Sequence, residues 1–236
     1  MSQMKIIAFS DSHNKHKALE KELIDLYSIY PDALLVHAGD CCYEGTITEG
    51  YDFLTWYGNL PFKNKILVPG NHDIPFEHSY YNFNYVELEE FAKTLNITIL
   101  TNQFEIINGI KILANSMIPN LKSWAFFAEP EQRERFFEYI DQDADIIISH
   151  TPPYGVGDEA PRGYGSFEHV GCKYLKNYIE RNNPKLVING HIHEGYGEHL
   201  YKTTKVYNSS ILDGHYMSFN PITIIDLDWS KNDEII

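Results

Sequence analysis

Five short apolar runs of this chain each end in residue types that commonly bind metal ions. Each run is four or five residues long and rich in isoleucine, leucine and valine, which is typical of a strand buried on both faces. The runs occupy residues 5–9, 33–36, 65–68, 145–148 and 185–188. The residues that follow them are Asp11 and His13, then Asp40, then Asn71 and His72, then His150, and finally His191 and His193.

In open α/β sheets, ligands bind outside the carboxyl ends of the strands. We therefore expect these side chains to be delivered to one edge of one sheet, where two aspartates, one asparagine and five histidines predict a metal centre. The ligand set is nitrogen and oxygen, with no thiolate required. Such a set favours Mn, Fe, Zn or Co over Cu(I) or an iron–sulfur cluster.

Length and composition predict a single globular domain over residues 1–236, with 43% hydrophobic and 22% charged residues. The longest apolar stretch is far shorter than a membrane span. No signal peptide is predicted, because the run at 5–9 is too short for an h-region. Three cysteines, of which Cys41 and Cys42 are adjacent, do not make a disulfide framework, so a reducing, cytoplasmic setting is predicted.

The net charge of −14 constrains the partners of the chain. Such a field repels long polyanions, so a role in coating nucleic acid is disfavoured. A small phosphate ester remains a suitable substrate, because bound dications reverse the local sign of the potential. No membrane partner is expected, and the sequence leaves the oligomeric state open.

Helical periodicity occurs between the apolar runs, at residues 16–30, 46–57, 86–95, 129–141 and 170–181. Asn108-Gly109 predicts a hairpin between strands at 104–107 and 110–114. Further strands are predicted at 97–100, 203–207 and 222–227. This order fits an α/β fold in which two mixed sheets pack face to face with helices outside.

Two irregular segments are candidate walls of a substrate site. Residues 117–127 contain Trp124, Phe126 and Phe127 without a clear period. Residues 152–167 follow His150 directly and combine glycines and prolines with charged side chains, including Arg162. Aromatic side chains in these segments suit stacking on a base or an aryl group, and the alternative is that both are ordinary surface loops.

Five motifs stand in the order of a known family: Asp-x-His at 11–13, Gly-Asp at 39–40, Gly-Asn-His-Asp at 70–73, Ser-His followed by prolines at 149–153, and Gly-His-x-His at 190–193. Over residues 5–227 the chain resembles the calcineurin-like metallophosphoesterases. The stretches 150–153 and 193–197 are similar to the small metallophosphoesterase-domain-containing proteins, a class III cyclic nucleotide phosphodiesterase-like subgroup. Some members of that subgroup act on phosphodiesters, including cyclic nucleotides.

The resemblance implies a four-layer α/β/β/α sandwich with two mixed β-sheets and a centre of two divalent metal ions. It implies hydrolysis of phosphodiesters by in-line attack of a hydroxide that bridges the ions. His72 is then left to assist the leaving oxygen, as general acid or as cationic stabiliser. The implied ligands of the first ion are Asp11, His13 and His193, those of the second are Asn71, His150 and His191, and Asp40 bridges both.

One departure from the family pattern concerns the partner of His72. Relatives often carry an acidic residue three positions after Gly-Asp, whereas this chain has Tyr43 there and Glu44 next. Asp73 and Glu44 are both candidates to orient His72.

The remaining histidines are expected to be structural or superficial, with two left open. His16 follows the first motif closely and could face the cleft, and His215 lies in a late loop. Cys41 and Cys42 adjoin Asp40 and are expected to pack rather than to act as thiolates. The histidines expected to have no role in the site are His37, His78, His169 and His199.

Several other functions compete with a phosphodiesterase. A phosphomonoesterase or protein phosphatase would use the same centre, but a protein phosphatase usually needs a larger groove. A nuclease needs a basic track, and this chain has 19 Lys+Arg against 33 Asp+Glu. A binding or scaffold protein that kept the fold should show broken ligands, and none is broken here.

Overall fold

The computed structural model describes residues 2–78 and 82–229. The strands are β1 (Ser2–Phe9), β2 (Leu34–His37), β3 (Asn64–Leu67), β4 (Ile97–Ile99), β5 (Gln103–Ile107), β6 (Ile110–Asn115), β7 (Ile146–Ser149), β8 (Glu159–Gly163), β9 (Ser166–His169), β10 (Leu186–Asn189), β11 (Gly197–Tyr201), β12 (Thr204–Asn208) and β13 (Thr223–Trp229). The helices are α1 (Glu20–Ile29), α2 (Ile47–Asn59), α3 (Asn82–Thr94), α4 (Pro130–Tyr139) and α5 (Lys173–Asn182).

Eleven strands form two mixed sheets, and β8 and β9 form a separate hairpin. The first sheet has the order β13-β1-β2-β3-β4, with β1 to β4 parallel and β13 antiparallel to β1. The second has the order β11-β12-β10-β7-β6-β5, with a parallel centre and antiparallel β11 and β5 at its edges. Long connections through helices are what parallel neighbours require.

Alternating side chains of the central strands enter different apolar layers. Ile7 and Phe9 of β1 pack with helices α1 to α3, whereas Ile6 and Ala8 face the second sheet. On β7, Ile147 packs with α4 and α5 while its neighbours face the first sheet. Because each sheet buries both faces, its strands are apolar throughout. These three apolar layers separate four layers of structure, which confirms the predicted α/β/β/α sandwich.

Most predicted elements are present, and their ends follow local capping. Thr46 accepts a hydrogen bond from the Glu49 amide while Glu49 accepts one from Thr46, a capping box that starts α2. Pro130 begins α4, as predicted. The predicted helix at 16–30 is instead a 3-10 turn, His16–Leu19, followed by α1. Neither start has a side-chain cap, so the first turn tightens.

The Asn-Gly hairpin is confirmed, because Asn108 and Gly109 both have positive φ (54° and 84°) between antiparallel β5 and β6. The segment 152–167, expected to be irregular, contains β8 and leads into β9. That hairpin has a register shift between Pro161 and Gly163 and is mostly exposed, so it carries little of the alternation by which a strand is identified.

The expectation that one sheet delivers all the polar side chains is wrong. β1, β2 and β3 belong to the first sheet, and β7 and β10 belong to the second. The two sheets meet at this end, where the Ser10 amide donates to the Ser209 carbonyl (2.9 Å) and the His191 amide donates to the Asp11 carboxylate (3.1 Å). Face-to-face packing therefore brings the carboxyl ends of two sheets together.

Within residues 2–78 and 82–229, no helix has the length and apolar character that crossing a bilayer requires. The single domain predicted over 1–236 stays a prediction, and it includes residues 1, 79–81 and 230–236, which lie outside the described residues.

Candidate metal centre

One group of possible ligands lies where β1 meets the turn after β10. Asp11, His13 and His193 each offer a ligand atom within 4.8 Å of the others. His193 Nε2 is 3.5 Å from Asp11 Oδ1. The Asp11 carboxylate is fully buried and also accepts hydrogen bonds from the Ser210 hydroxyl (2.9 Å) and the His191 amide (3.1 Å). These bonds hold the carboxylate across the junction of the two sheets.

A second group lies beside the first. Asp40, His150 and His191 offer ligand atoms within 4.8 Å of one another. His150 Nε2 is 3.3 Å from Asp40 Oδ2 and 3.2 Å from the amide oxygen of Asn71. Asn71 thereby joins this group, although it lies on a different strand end. Two carboxylates, one amide and four imidazoles thus meet in one place.

Asp40 faces both groups. Its Oδ2 atom is 3.9 Å from His13 Nε2 and 3.3 Å from His150 Nε2, and its side chain is almost completely buried. Its Oδ1 atom accepts a hydrogen bond from the His72 amide (2.8 Å). A carboxylate between two sets of imidazoles has the position that a bridging ligand needs.

Backbone carbonyls fix the tautomer of three imidazoles. In each, Nδ1 lies 2.8–3.2 Å from a backbone oxygen, so Nδ1 carries the proton and donates it. Nε2 is then the nitrogen that faces the centre, and it can bind a metal once any proton on it is displaced. The pairs are His13 with Cys42 O, His150 with Ala38 O, and His193 with Asp213 O.

The backbone at the centre is strained. Asp11, His13, Asp40 and His191 have φ values of 53°, 40°, 58° and 69°, in the left-handed region that non-glycine residues rarely adopt. Each such residue costs on the order of 1–3 kcal/mol and persists where the surrounding structure imposes it. Four of the seven predicted ligands share this conformation. The backbone here therefore places these side chains at the expense of local stability.

Charge in the centre alternates between neutral and protonated imidazoles. Burial lowers the pKa of His13 to about 4. Burial would also lower the pKa of His150 and His193, but the Asp40 and Asp11 carboxylates respectively outweigh it and raise each pKa to about 9. Burial alone would raise the pKa of Asp40, yet His150 lowers it below its usual range. In each ligand group, one imidazole therefore holds a proton beside a buried carboxylate. A bound cation would displace that proton.

His72 lies at the edge of both groups and is held by a backbone oxygen. Its Nδ1 donates to the Tyr43 carbonyl (2.7 Å), and its ring is 4.3 Å from that of Trp124. A ring nitrogen of His72 is within 4.8 Å of ligand atoms of both His13 and Asp40. The structure therefore brings His72 together with the predicted ligands.

Neither Asp73 nor Glu44 orients His72, so both candidate partners are wrong. The Asp73 carboxylate is fully buried and accepts three backbone amide bonds, from Asp40 (2.8 Å), Gly70 (2.8 Å) and Cys42 (2.9 Å). The Cys41 thiol adds a fourth contact at 3.1 Å. Asp73 thus ties the loop after β2 to the loop after β3. Glu44 is exposed.

Aromatic side chains surround the centre, and the sequence motifs predicted neither Tyr43 nor Tyr216 as part of it. The Tyr216 ring is 4.7 Å from that of His13 and 5.1 Å from that of His193. The Tyr43 ring lies 6.4 Å from the His72 ring and nearly parallel to it. Tyr43 replaces the expected acid, which was the available sign of an altered wall. Tyr216 sits in a loop without periodicity.

The other histidines are separate from the centre. His16 is fully buried against Trp56 (ring centroids 4.7 Å apart) beside α2, so it does not face the cleft. His215 is exposed. His169 was expected to be structural or superficial, and its Nδ1 lies 2.7 Å from the buried Asp158 carboxylate, a structural contact.

The adjacent cysteines pack as expected. Cys41 and Cys42 are fully buried, with sulfur atoms 3.8 Å apart. Burial raises the pKa of the Cys41 thiol well above its usual value. The predicted absence of a thiolate role accords with this environment.

Comparison with known proteins accords with this geometry. Residues 4–195 match the profile of the calcineurin-like phosphoesterases. Metallophosphoesterase domain-containing protein 1 of Homo sapiens is 29% identical over 246 residues, covering 97% of this chain and 72% of that protein. A UPF0046 protein of Caenorhabditis elegans is 30% identical over 207 residues, covering 82% of this chain and 65% of that protein.

A solved structure shows the same fold at low sequence identity. The phosphopantetheinyl hydrolase of Mycobacterium tuberculosis superposes with a TM-score of 0.60 at 17% identity, covering 91% of each chain. Its likeness concerns the fold alone. The family match spans most of the sandwich and includes the seven predicted ligands and His72. The chain therefore belongs to the calcineurin-like phosphoesterase family.

Proposed function

We propose that this chain is a dinuclear metal-dependent phosphodiesterase. The observation that carries the proposal is the buried Asp40 carboxylate, which faces His13 on one side and His150 on the other (3.9 and 3.3 Å). In this proposal, the first ion is held by Asp11, His13, His193 and Asp40, and the second by Asp40, Asn71, His150 and His191.

The residues fit two divalent cations. His13 Nε2 is buried and has no hydrogen-bond partner in the described part of the chain, although it faces two carboxylates. Buried polar atoms without partners are rare in proteins, and a coordinated ion would satisfy this one. The mixed nitrogen and oxygen set suits Mn, Fe, Zn or Co. When bound, two such ions polarise a phosphate and lower the pKa of a water molecule for attack on phosphorus.

We assign proton transfer to His72. Because Nδ1 donates to the Tyr43 carbonyl (2.7 Å), Nε2 is the nitrogen that can give a proton to the leaving oxygen. The contact with Trp124 limits rotation of the imidazole. Asp11 lies against the His193 imidazole and Asp40 against the His150 imidazole, so these rings are kept in place. The side chains that would hold the two ions therefore need little rearrangement before reaction.

The surroundings favour a diester over a monoester. Tyr43 and Trp124, whose rings lie near that of His72, and Tyr216, whose ring lies near that of His13, are aromatic and uncharged. A monoester is largely dianionic near neutral pH and benefits from additional cations. A diester carries one negative charge and two organic groups, for which aromatic walls are suitable. We therefore propose small phosphodiesters, with cyclic or other small nucleotides among them, as the substrate class.

The partners follow from the same features. A net charge of −14 disfavours long nucleic acids, so the proposed substrate is small. Cys41, Cys42 and Cys172 are free thiols, which suits the proposed cytoplasmic setting.

The proposal is tested with protein stripped of metal and reloaded singly with Mn, Fe(II), Co, Zn or Mg. Bis(p-nitrophenyl) phosphate and p-nitrophenyl phosphate serve as diester and monoester, and bound metal is counted by mass spectrometry. We expect two ions per chain and faster turnover of the diester. Asp40→Ala should abolish turnover and lower the metal count. His72→Ala should keep both ions and lower kcat about 10²–10⁴-fold.

Matched controls are Asp25→Ala and His215→Ala, which remove the same side chains from exposed positions. Both should retain wild-type metal content and turnover. Preferential turnover of the monoester would favour the phosphomonoesterase alternative. Two bound ions without turnover of either ester would contradict hydrolysis and favour a binding protein.

A further inference from the structure

A cleft beside His191 is lined by two segments that lie apart in the sequence. On one side is the loop at residues 119–121, and on the other is the β8–β9 hairpin. Its volume is about 610 Å³, within the range of small-molecule sites. Both segments that the sequence predicted as candidate walls of a substrate site therefore line the same cleft.

Much of this cleft is apolar. Leu121 contributes from the loop, Ala160 from β8, Val170 from the end of β9 and Ile192 from the turn after β10. Such side chains favour an organic group, because removing apolar surface from water is favourable by about 25 cal/mol per Å².

The guanidinium and the imidazole that line the cleft each contact a carboxylate. Arg162 Nε lies 2.8 Å from Glu168 Oε2. His169 Nδ1 lies 2.7 Å from the buried Asp158 carboxylate, and its Nε2 lies 3.8 Å from Glu159. Three carboxylates thus face one guanidinium and one imidazole. The cleft has no excess of positive charge to receive a second anionic group.

A phosphodiester has a substituent that a monoester lacks. During hydrolysis the bond from phosphorus to the leaving oxygen breaks, a bond to the water oxygen forms, and the leaving oxygen takes up a proton. The second ester bond stays intact throughout. With His72 assigned to the leaving oxygen, the retained group needs a separate space, and the cleft opens next to His191 of the second ligand group.

We infer that this cleft binds the retained organic group of a phosphodiester and selects for an uncharged one. This inference rests on the proposed function. Leu121, Ala160 and Val170 would contact the group, while Asp158 positions His169 at the rim of the cleft. Gly171, whose amide donates to Asp158 Oδ2 (2.8 Å), helps to fix that carboxylate.

The test uses p-nitrophenyl phosphodiesters that differ in the retained group: methyl, phenyl or 4-carboxyphenyl. The metal-loaded wild type should show a kcat/KM for the phenyl diester about 10–100-fold above that for the methyl diester, because one well-packed apolar group discriminates on this scale. The 4-carboxyphenyl diester should be poorer than the phenyl diester. Ala160→Trp fills the cleft and should lower kcat/KM for the phenyl diester to about the value for the methyl diester, which should itself fall much less.

Phe167→Trp is the matched control, because Phe167 is an exposed residue of the same hairpin and does not line the cleft. It should leave all rates at wild-type values. Leu121→Ala is a second test variant. It shortens a side chain of the cleft and so adds no bulk next to the hairpin. Calorimetry should show a much larger loss of affinity for diphenyl phosphate than for dimethyl phosphate in metal-loaded Leu121→Ala.

The two proposals fail in different ways. If the wild type hydrolyses none of the diesters, the proposed phosphodiesterase function is wrong. If it hydrolyses them but Ala160→Trp and Leu121→Ala affect all esters equally or not at all, the assignment of the cleft is wrong. A 4-carboxyphenyl diester preferred over the phenyl diester would overturn the selection for an uncharged group.

Discussion

The ligand groups and the walls of the cleft are built in opposite ways. Asp11 and His150 are fully buried and are held by backbone atoms from other strand ends. Arg162 of the β8–β9 hairpin is exposed and is held by an ion pair between exposed side chains. Exposed ion pairs contribute about 0–1 kcal/mol, whereas removing one partner of a buried pair costs about 3–5 kcal/mol. The predicted ligands are therefore rigidly placed, while the proposed specificity wall is built from parts that tolerate change.

The same contrast appears in backbone strain. At the ligand end, strained residues such as Asp11 and Asp40 are almost completely buried in the sandwich. At the hairpin tip, Tyr164 also has positive φ (52°), but it is fully exposed and lies in a turn between two glycines. Strain at the ligand end is imposed by packing, and strain at the tip is ordinary turn geometry. Substitutions at the two ends should therefore differ in their effect on metal binding.

Asp73→Ala should give the largest loss of stability. It removes the acceptor for three buried amides, of Asp40, Cys42 and Gly70. Because each buried donor left unsatisfied costs about 1–3 kcal/mol, we expect the free energy of unfolding to fall by about 3–5 kcal/mol. Metal content should fall with it, because Asp40 and Asn71 sit on the two loops that Asp73 joins. Urea denaturation and metal analysis measure both effects.

Asp25→Ala serves as the control for Asp73→Ala, because Asp25 is exposed and pairs with Lys21 on the helix surface. It should change the free energy of unfolding by less than about 0.5 kcal/mol. A similarly small change in Asp73→Ala would mean that the two loops are positioned without this carboxylate.

Gly190→Ala and Gly165→Ala make the same glycine-to-alanine change at the ligand end of the sandwich and at the tip of the β8–β9 hairpin. A Cβ at Gly190 would lie 2.2 Å from both Asp11 Oδ2 and Ser10 Oγ, so the Asp11 carboxylate must move. We expect a loss of about 1–3 kcal/mol in stability, together with loss of metal from the first ligand group. Gly165 has a φ of 76° with nothing within 4 Å of an added Cβ, so its substitution should cost about 1 kcal/mol and leave metal content unchanged.

Thermal unfolding and metal analysis of the two variants decide the comparison. Normal metal content in Gly190→Ala would show that the ligand end adapts as readily as the hairpin.

Much of the fold was predictable because its central strands are short, apolar and followed by polar residues. Strand periodicity and the Asn108-Gly109 turn led to two mixed sheets. The assignment of all ligands to one sheet was wrong, because a strand sequence specifies burial on both faces but not which neighbour it pairs with. The Ser10–Ser209 bond between sheets is a long-range contact with no local signal. The β8–β9 hairpin was missed because exposed strands lack alternation.

The site shows the same division between local and long-range information. The seven predicted ligands meet because each follows a strand end, and the positions of strand ends are readable from sequence. The partner of His72 was not readable, because it is a backbone carbonyl of Tyr43 and any residue carries one. The partner of His169 was not readable for a related reason: the buried Asp158 is 11 residues away, across a hairpin that the sequence did not reveal.

Trp124→Ala should have the smallest effect of these variants and should act on substrate binding alone. Trp124 is 38% exposed and touches His72 with its ring, so it belongs to the wall rather than to the core. Loss of one aromatic contact is worth about 0.5–1.5 kcal/mol, which predicts a rise in KM for aryl diesters of up to about tenfold. The free energy of unfolding should stay at the wild-type value, as in Tyr139→Ala, a control on the exposed surface of α4. If turnover of aryl diesters and small nucleotides is unchanged in Trp124→Ala, this wall does not contact the substrate, and specificity is confined to the cleft beyond His191.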